Sequence, residues 1–174
     1  MKKTMLSVFF MAAAGMAGSA QAADGTIHFT GNITDQTCTV DSTSQSMEVP
    51  MGNVGASALA GGAGTVASPS RFTLQLDGCP DTVTSATIKF DGDADNAAAG
   101  SGILKLDSDS TATGVGIVIA DNAGTPIAIH TDSPAYALTE GENDLLFTAR
   151  YIATGDTVTT GSANATSQFT INYK

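Results

Sequence analysis

Two cysteines, two histidines and 17 carboxylates are the residues in this 174-residue chain whose types suit chemistry. His28 falls on the polar face of an alternating stretch, and His130 ends a predicted strand just before a turn. Neither stands in a cluster, and a zinc or copper site wants several His or Cys ligands. Asp91-Gly92-Asp93-Ala94-Asp95-Asn96 has the look of a calcium loop. Such a loop needs Gly at its sixth place and Glu at its twelfth, where this chain has Asn96 and Gly102, so the reading is a plain acidic turn. Gly62-Ala63-Gly64-Thr65-Val66-Ala67 formally matches a dinucleotide fingerprint, but no strand precedes it and no amphipathic helix follows. Neither G-x-S-x-G nor H-E-x-x-H occurs. Nothing marks a catalytic carboxylate pair off from a solvated surface. The residues predict no enzyme, no cofactor and no metal site.

The cysteines, Cys38 and Cys79, are read through the start of the chain. Lys2 and Lys3 make a positive n-region, Met5 to Ala17 is a short apolar run rich in Ala and Gly, and Ala20-Gln21-Ala22 is an A-x-A cleavage signal. Residues 1–22 are therefore expected to be a signal peptide of bacterial type, with the mature chain starting at Ala23. No later stretch is apolar for the roughly 18 residues a membrane helix needs. In an exported chain a cysteine pair is most simply a disulfide. The loop closed would span 41 residues, for which the chain-entropy model gives about 4 kcal/mol. The alternative, two metal-ligating thiolates, lacks a partner Cys or His nearby.

Removing residues 1–22 leaves 152 residues with five basic against 17 acidic side chains, a net charge near −12. That is enough chain for one domain with a real core. Such a surface repels nucleic acid and favours a basic partner patch or plain solubility.

The elements that position these residues are β-like: Gly, Thr, Ser, Asp and Asn abound and charged helix formers are scarce. Thr26 to Ile33 alternates, with Ile27, Phe29, Gly31 and Ile33 on one face, and predicts a half-buried strand. Further strands are expected from Asn32 through Cys38 to Val40, over Gln45–Val49 up to Pro50, Arg71–Leu76, Ala86–Phe90 and Ile103–Leu106. Gly52 to Ser70 reads as a flexible connection. Gly114–Ala120 and Pro126–His130 flank a hairpin signal at Asp121–Thr125. Leu145–Ile152, apolar on much of both faces, is expected to lie centrally, and Ala163–Tyr173 is the last strand. Short strands at regular spacing with no helical period indicate an all-β sandwich. By pattern alone, Thr26–Ile33 reads as an ordinary edge strand of that sandwich.

The two ends of the chain change that reading. Phe169-Thr170-Ile171-Asn172-Tyr173-Lys174, with its penultimate Tyr and with Gly161 upstream, resembles the C-terminal signature of chaperone–usher fimbrial subunits. Ala149–Gly155 resembles the preceding segment of type 1 fimbrial major subunits. Ile27-x-Phe29-x-Gly31-x-Ile33 followed by Cys38, and the approach Leu74-x-Leu76-x-Gly78-Cys79, are similar to the same family.

This resemblance implies an immunoglobulin-like sandwich lacking its last strand. Residues 23–33 would be a donor-strand extension, with Ile27, Phe29, Gly31 and Ile33 as the polymerising residues. Residues 34–174 would be the pilin domain. Gly161, Phe169, Ile171 and Tyr173 would form the groove edge that a periplasmic chaperone recognises, before an outer-membrane usher exchanges the chaperone for the next subunit. The partners implied are that chaperone, that usher and identical or related subunits, in a fimbria on the bacterial surface that supports adhesion. A minor adaptor subunit is one alternative. Another is a self-complete exported carbohydrate-binding β-sandwich, whose aromatic platform would have to be built without any Trp.

Overall fold

The computed structural model describes residues 27–31, 37–67, 69–95 and 102–174. The chain divides into two units, Met1–Ile33 and Thr34–Lys174. In the first, residues 27–31 carry no regular secondary structure, and Ile27 and Phe29 are 78% and 93% exposed. The strand expected over Thr26–Ile33 is therefore not formed at residues 27–31. A strand with one apolar face holds its shape only against a ladder partner and an apolar surface. The signal peptide expected at residues 1–22, Ile33, and the start of the strand expected from Asn32 lie outside the described residues.

The second unit contains, in chain order, β1 (Thr39–Val40), the helical turn α1 (Ser42–Gln45), a 3-10 turn (Ala56–Leu59), β2 (Ser70–Cys79), β3 (Ser85–Asp91), β4 (Ala94–Asp95), β5 (Ile103–Leu104), β6 (Val115–Asp121), β7 (Pro126–Ile127), β8 (Tyr136–Ala137), β9 (Gly141–Ala153) and β10 (Gln168–Tyr173). The strands form two sheets. The larger runs β1-β2-β9-β6-β5-β4 with β7 beside β6, and the smaller runs β10-β3-β8. All the ladders are antiparallel.

Local chemistry explains the main elements. In β2 and β9 the period of two puts Leu74, Leu76, Leu145 and Phe147 inside. The longest strand, β9, has β2 on one side and β6 on the other, so the stretch that is apolar on both faces is central as expected. The β6–β7 hairpin closes where the Asp121 carboxylate accepts hydrogen bonds from the Ala123 and Thr125 amides at 2.9 and 2.8 Å. Gly124 supplies the positive φ of 85° there. The segment expected as a strand over Gln45–Val49 is not one: Gln45 closes α1, and residues 46–49 carry no regular secondary structure. Asp41 caps that turn by accepting from the Thr43 amide at 2.8 Å, a local bond that competes with a sheet ladder.

The core lies between the sheets. Ala86, Ile88 and Phe90 of β3 face Leu76, Leu145, Phe147 and Ile119 of the larger sheet. Phe147 sits at the centre of an aromatic group, 5.2 Å edge-on from Phe90, 5.5 Å stacked on Phe72 and 5.3 Å from Tyr136. Such pairs contribute about 0.5–1.5 kcal/mol each beyond their buried area. Burial first, and the Asp121 carboxylate second, push the Tyr136 phenol up to about 12. Cys38 and Cys79 are joined in a buried disulfide, which ties the entry of β1 to the end of β2.

Candidate functional site

The smaller sheet has an open edge. β10 pairs with β3 from Gln168↔Asp91 to Tyr173↔Ala86, and among the described residues its other edge carries no ladder. The apolar face of β10 is Phe169, Ile171 and Tyr173. All three pack on the core, yet each stays only half-buried, and a groove opens beside the start of the strand, at Gln168 and Phe169.

That groove has a volume of about 1380 Å³. Its floor is core: Phe72, Leu74, Ile117, Ile119 and Tyr151 reach it from the larger sheet. One wall is the chain from Ala163 to Phe169, and the other is Ser44 to Gly52. An apolar trough bordered by a free strand edge offers backbone donors and acceptors along one side and alternating side-chain sites below. That is the geometry an added extended segment needs.

The last strand was expected from Ala163, but its regular ladder begins only at Gln168. Residues 159–166 run instead beside 107–113 through irregular bonds. The Asp107 amide donates to the Asn164 carbonyl at 2.8 Å, the Thr111 amide to the Ser162 carbonyl at 3.1 Å, and the Thr159 amide to the Thr113 carbonyl at 3.1 Å. Hydroxyls reinforce them: Thr111 with Ser162 at 3.2 Å, Thr113 with Thr159 at 2.9 Å, and Thr166 donating to Asp107 at 3.0 Å. The paired Ser and Thr runs are the sequence signal for this wall, and pattern reading aimed at apolar alternation passes over it.

Gly161 sits where these segments touch. A Cβ there would lie 2.6 Å from the Ala112 amide nitrogen and 2.8 Å from the Thr111 carbonyl carbon, besides meeting the Thr111 hydroxyl. Gly161 thus lies on the wall upstream of β10, lining a smaller cavity of about 340 Å³ with Leu59 and Val115. Gly52, Tyr151, Ala163 and Asn164 border both this cavity and the groove. Two phenols fix the surroundings: Tyr151 donates to the Ala163 carbonyl at 2.7 Å and Tyr173 to the Cys38 carbonyl at 3.4 Å. Burial raises both phenol pKa values.

Ile27, Phe29 and Gly31 present their side of the stretch to solvent, and nothing lies within 4 Å of where a Gly31 Cβ would be. His28 is exposed. His130, at a φ of 69°, places Nδ1 3.1 Å from Asp91 Oδ1, and Lys89 lies 3.6 Å from the same carboxylate. The hydrogen bond from His130, and to a lesser degree the Lys89 charge, holds the Asp91 carboxyl below its usual pKa. Among the described residues no group of three or more His, Cys, Asp or Glu is placed to hold a metal ion.

The fimbrial protein family matches residues 27–174. Long polar fimbria protein A of Salmonella typhimurium is 35% identical over 100% of this chain and 98% of its own length. The type-1 fimbrial protein subunit of Serratia marcescens is 36% identical with 100% of both chains covered. Among solved structures, the P pilus rod subunit PapA aligns with a TM-score of 0.67 at 25% identity, covering 79% of this chain and 99% of its own. The sandwich is thus of the immunoglobulin-like kind found in pilus subunits, and the open groove is built into a structural protein, not an enzyme. With the family matched over both the groove and the N-terminal stretch, this chain belongs to the fimbrial protein family and is a structural subunit of a fimbria.

Proposed function

We propose that this chain polymerises by donating its own N-terminal stretch, Thr26 to Ile33, into the groove beside β10 of the next copy. The observation that carries this reading is a pair of unmet needs within one chain. β10 leaves an edge open over an apolar floor, while Ile27 and Phe29 stand in solvent. At about 3.3 Å per residue the donated stretch extends over some 25 Å, enough to run along β10. Burial of Ile27, Phe29 and Ile33 contributes about 1.5–3 kcal/mol each, and each ladder bond adds about 1 kcal/mol. Gly31 would let the donated strand sit closely where the groove leaves no room for a side chain. Because a head-to-tail contact between identical chains does not close, it propagates as a filament. Before assembly the same open edge needs cover, which a periplasmic chaperone provides until an outer-membrane usher exchanges it for the next subunit. The pilus rod and major-subunit names among the relatives favour a shaft role.

Deletion of Ala23–Gly31 tests this. The truncated subunit keeps its groove, so it should co-purify with the chaperone at the wild-type level and end fibres without extending them. Loss of chaperone capture, or continued polymerisation of the truncated subunit alone in electron micrographs, would sink the reading.

A further inference from the structure

The outer face of the larger sheet, turned away from the core and the groove, is polarised along its strands. On β2 and β9 the residues out of phase with Leu74, Leu145 and Phe147 are exposed or half-buried as far as Arg150, and Ile152 beyond it is buried. Glu142 and Asp144 stand at one end, both exposed, with Gln75 Nε2 donating to Asp144 at 3.2 Å. Arg71 and Arg150 stand at the other end. The ladder sets Arg71 opposite Thr148, which makes Arg150 its diagonal neighbour. Like charges so placed repel. Neither guanidinium has an ion pair among the described residues, where the pairs are Lys89–Asp91 and His130–Asp91. Nε of Arg150 is buried without a hydrogen-bond partner. Only five basic residues follow residue 22, so two side by side with no acidic partner need a reason.

Apolar exposure points to the same face. Leu146, between the two ends, is 47% exposed, and Val66, bridged to Ile152 beyond Arg150, is 41% exposed. These two are the exposed large apolar side chains among described residues 37–174.

We propose that this face docks a second copy of the chain belonging to a neighbouring fibre. The two sheets pack face to face with their strands antiparallel, related by a two-fold axis near Leu146. The proposal rests on the head-to-tail fibre described above and adds a sideways contact to it. Charge complementarity selects the occupant. Reversing one copy brings Arg71 and Arg150 of each onto Glu142 and Asp144 of the other, and Leu146 onto Leu146. Packing the same faces with strands parallel would set like charge on like. Three strands of about nine residues cover roughly 400 Å² per copy, below the area of a stable dimer. One contact is therefore weak, and repetition along two fibres makes it hold.

The test uses fibres of the full chain, imaged at low and at high salt. Wild-type fibres should lie in side-by-side pairs at low salt and separate near 1 M, where screening reaches within about 3 Å. Arg71→Glu with Arg150→Glu should abolish pairing, and so should Glu142→Arg with Asp144→Arg. All four changes together should restore it, because the polarity is then reversed but still complementary. The milder Arg71→Gln with Arg150→Gln should weaken pairing without changing fibre length. Wild-type fibres that stay single at low salt, double variants that still pair, or no recovery in the fourfold variant would overturn the sideways contact while leaving the head-to-tail reading intact. Absence of wild-type fibres altogether would overturn both.

Discussion

Gly161 shows how a single hydrogen in place of a side chain shapes the site. Its neighbours Ala112 and Thr111 are backbone atoms, so a methyl group at residue 161 can be accommodated only by pushing the two wall segments apart. Gly161→Ala should destabilise the subunit by about 1–3 kcal/mol, the usual range for overpacking, and denaturant unfolding would measure it. A midpoint equal to wild type would mean the wall gives way freely. At Asp91 the consequence is electrostatic. Its folded pKa lies below the ordinary aspartate value of 3.8, so its contribution to stability is present above that pH and is lost as pH falls through the folded value. His130→Ala removes the largest cause of the shift, and NMR titration should then find the Asp91 carboxyl moved up towards 3.8. An unmoved titration would assign the shift to Lys89.

Among the elements, β10 carries the decisive chemistry. On the proposed function, Phe169→Ala should leave the β10–β3 ladder standing but remove apolar surface beside the groove. That is worth about 1.4 kcal/mol, or a tenfold loss in chaperone co-purification. Capture at the wild-type level would place recognition elsewhere. The element pattern was legible in the sequence where apolar alternation is strong: β2, β3, β6 and β9 fall where Arg71–Leu76, Ala86–Phe90, Gly114–Ala120 and Leu145–Ile152 placed them. It was misread where small polar residues rule. Ala163, Ala165 and Ser167 share a strand-like face, but they bury too little to hold a ladder, and their neighbours Ser162, Asn164 and Thr166 are tied to the hydroxyls of Thr111 and Ser110 and to the Asp107 carboxylate. Asp41 followed by Ser and Thr carried the capping signal for α1, which the alternation of Gln45–Val49 obscured. The two-residue β8 had no signal of its own, since its pairing with β3 depends on tertiary placement.

The groove belongs to the whole molecule and could not be read from any one segment. It lies beside the start of β10, and its floor is drawn from strands far apart in sequence. Residue patterns gave the apolar stretch at Ile27–Ile33 and the alternating Phe169, Ile171 and Tyr173. Only the resemblance to fimbrial subunits joined the two into one expectation. The Cys38–Cys79 bond, by contrast, followed from the cysteine count and the expected export, and the structure forms it.

That bond also governs how the subunit bears a pull. On the proposed function, in which the links are N-terminal stretches seated in neighbouring grooves, tension would enter the domain through the residues just before Cys38. From there the load has a covalent shortcut across to Cys79 at the end of β2, so the intervening 41-residue loop, with β1, α1 and most of β2, is shielded from force. The shielded length is hidden until the bond is cut. Single-molecule stretching should find oxidised subunits stiffer, and reduced subunits should release about 140 Å of additional contour, at 3.3–3.6 Å per residue. Equal contour lengths before and after reduction would mean the pull takes another path.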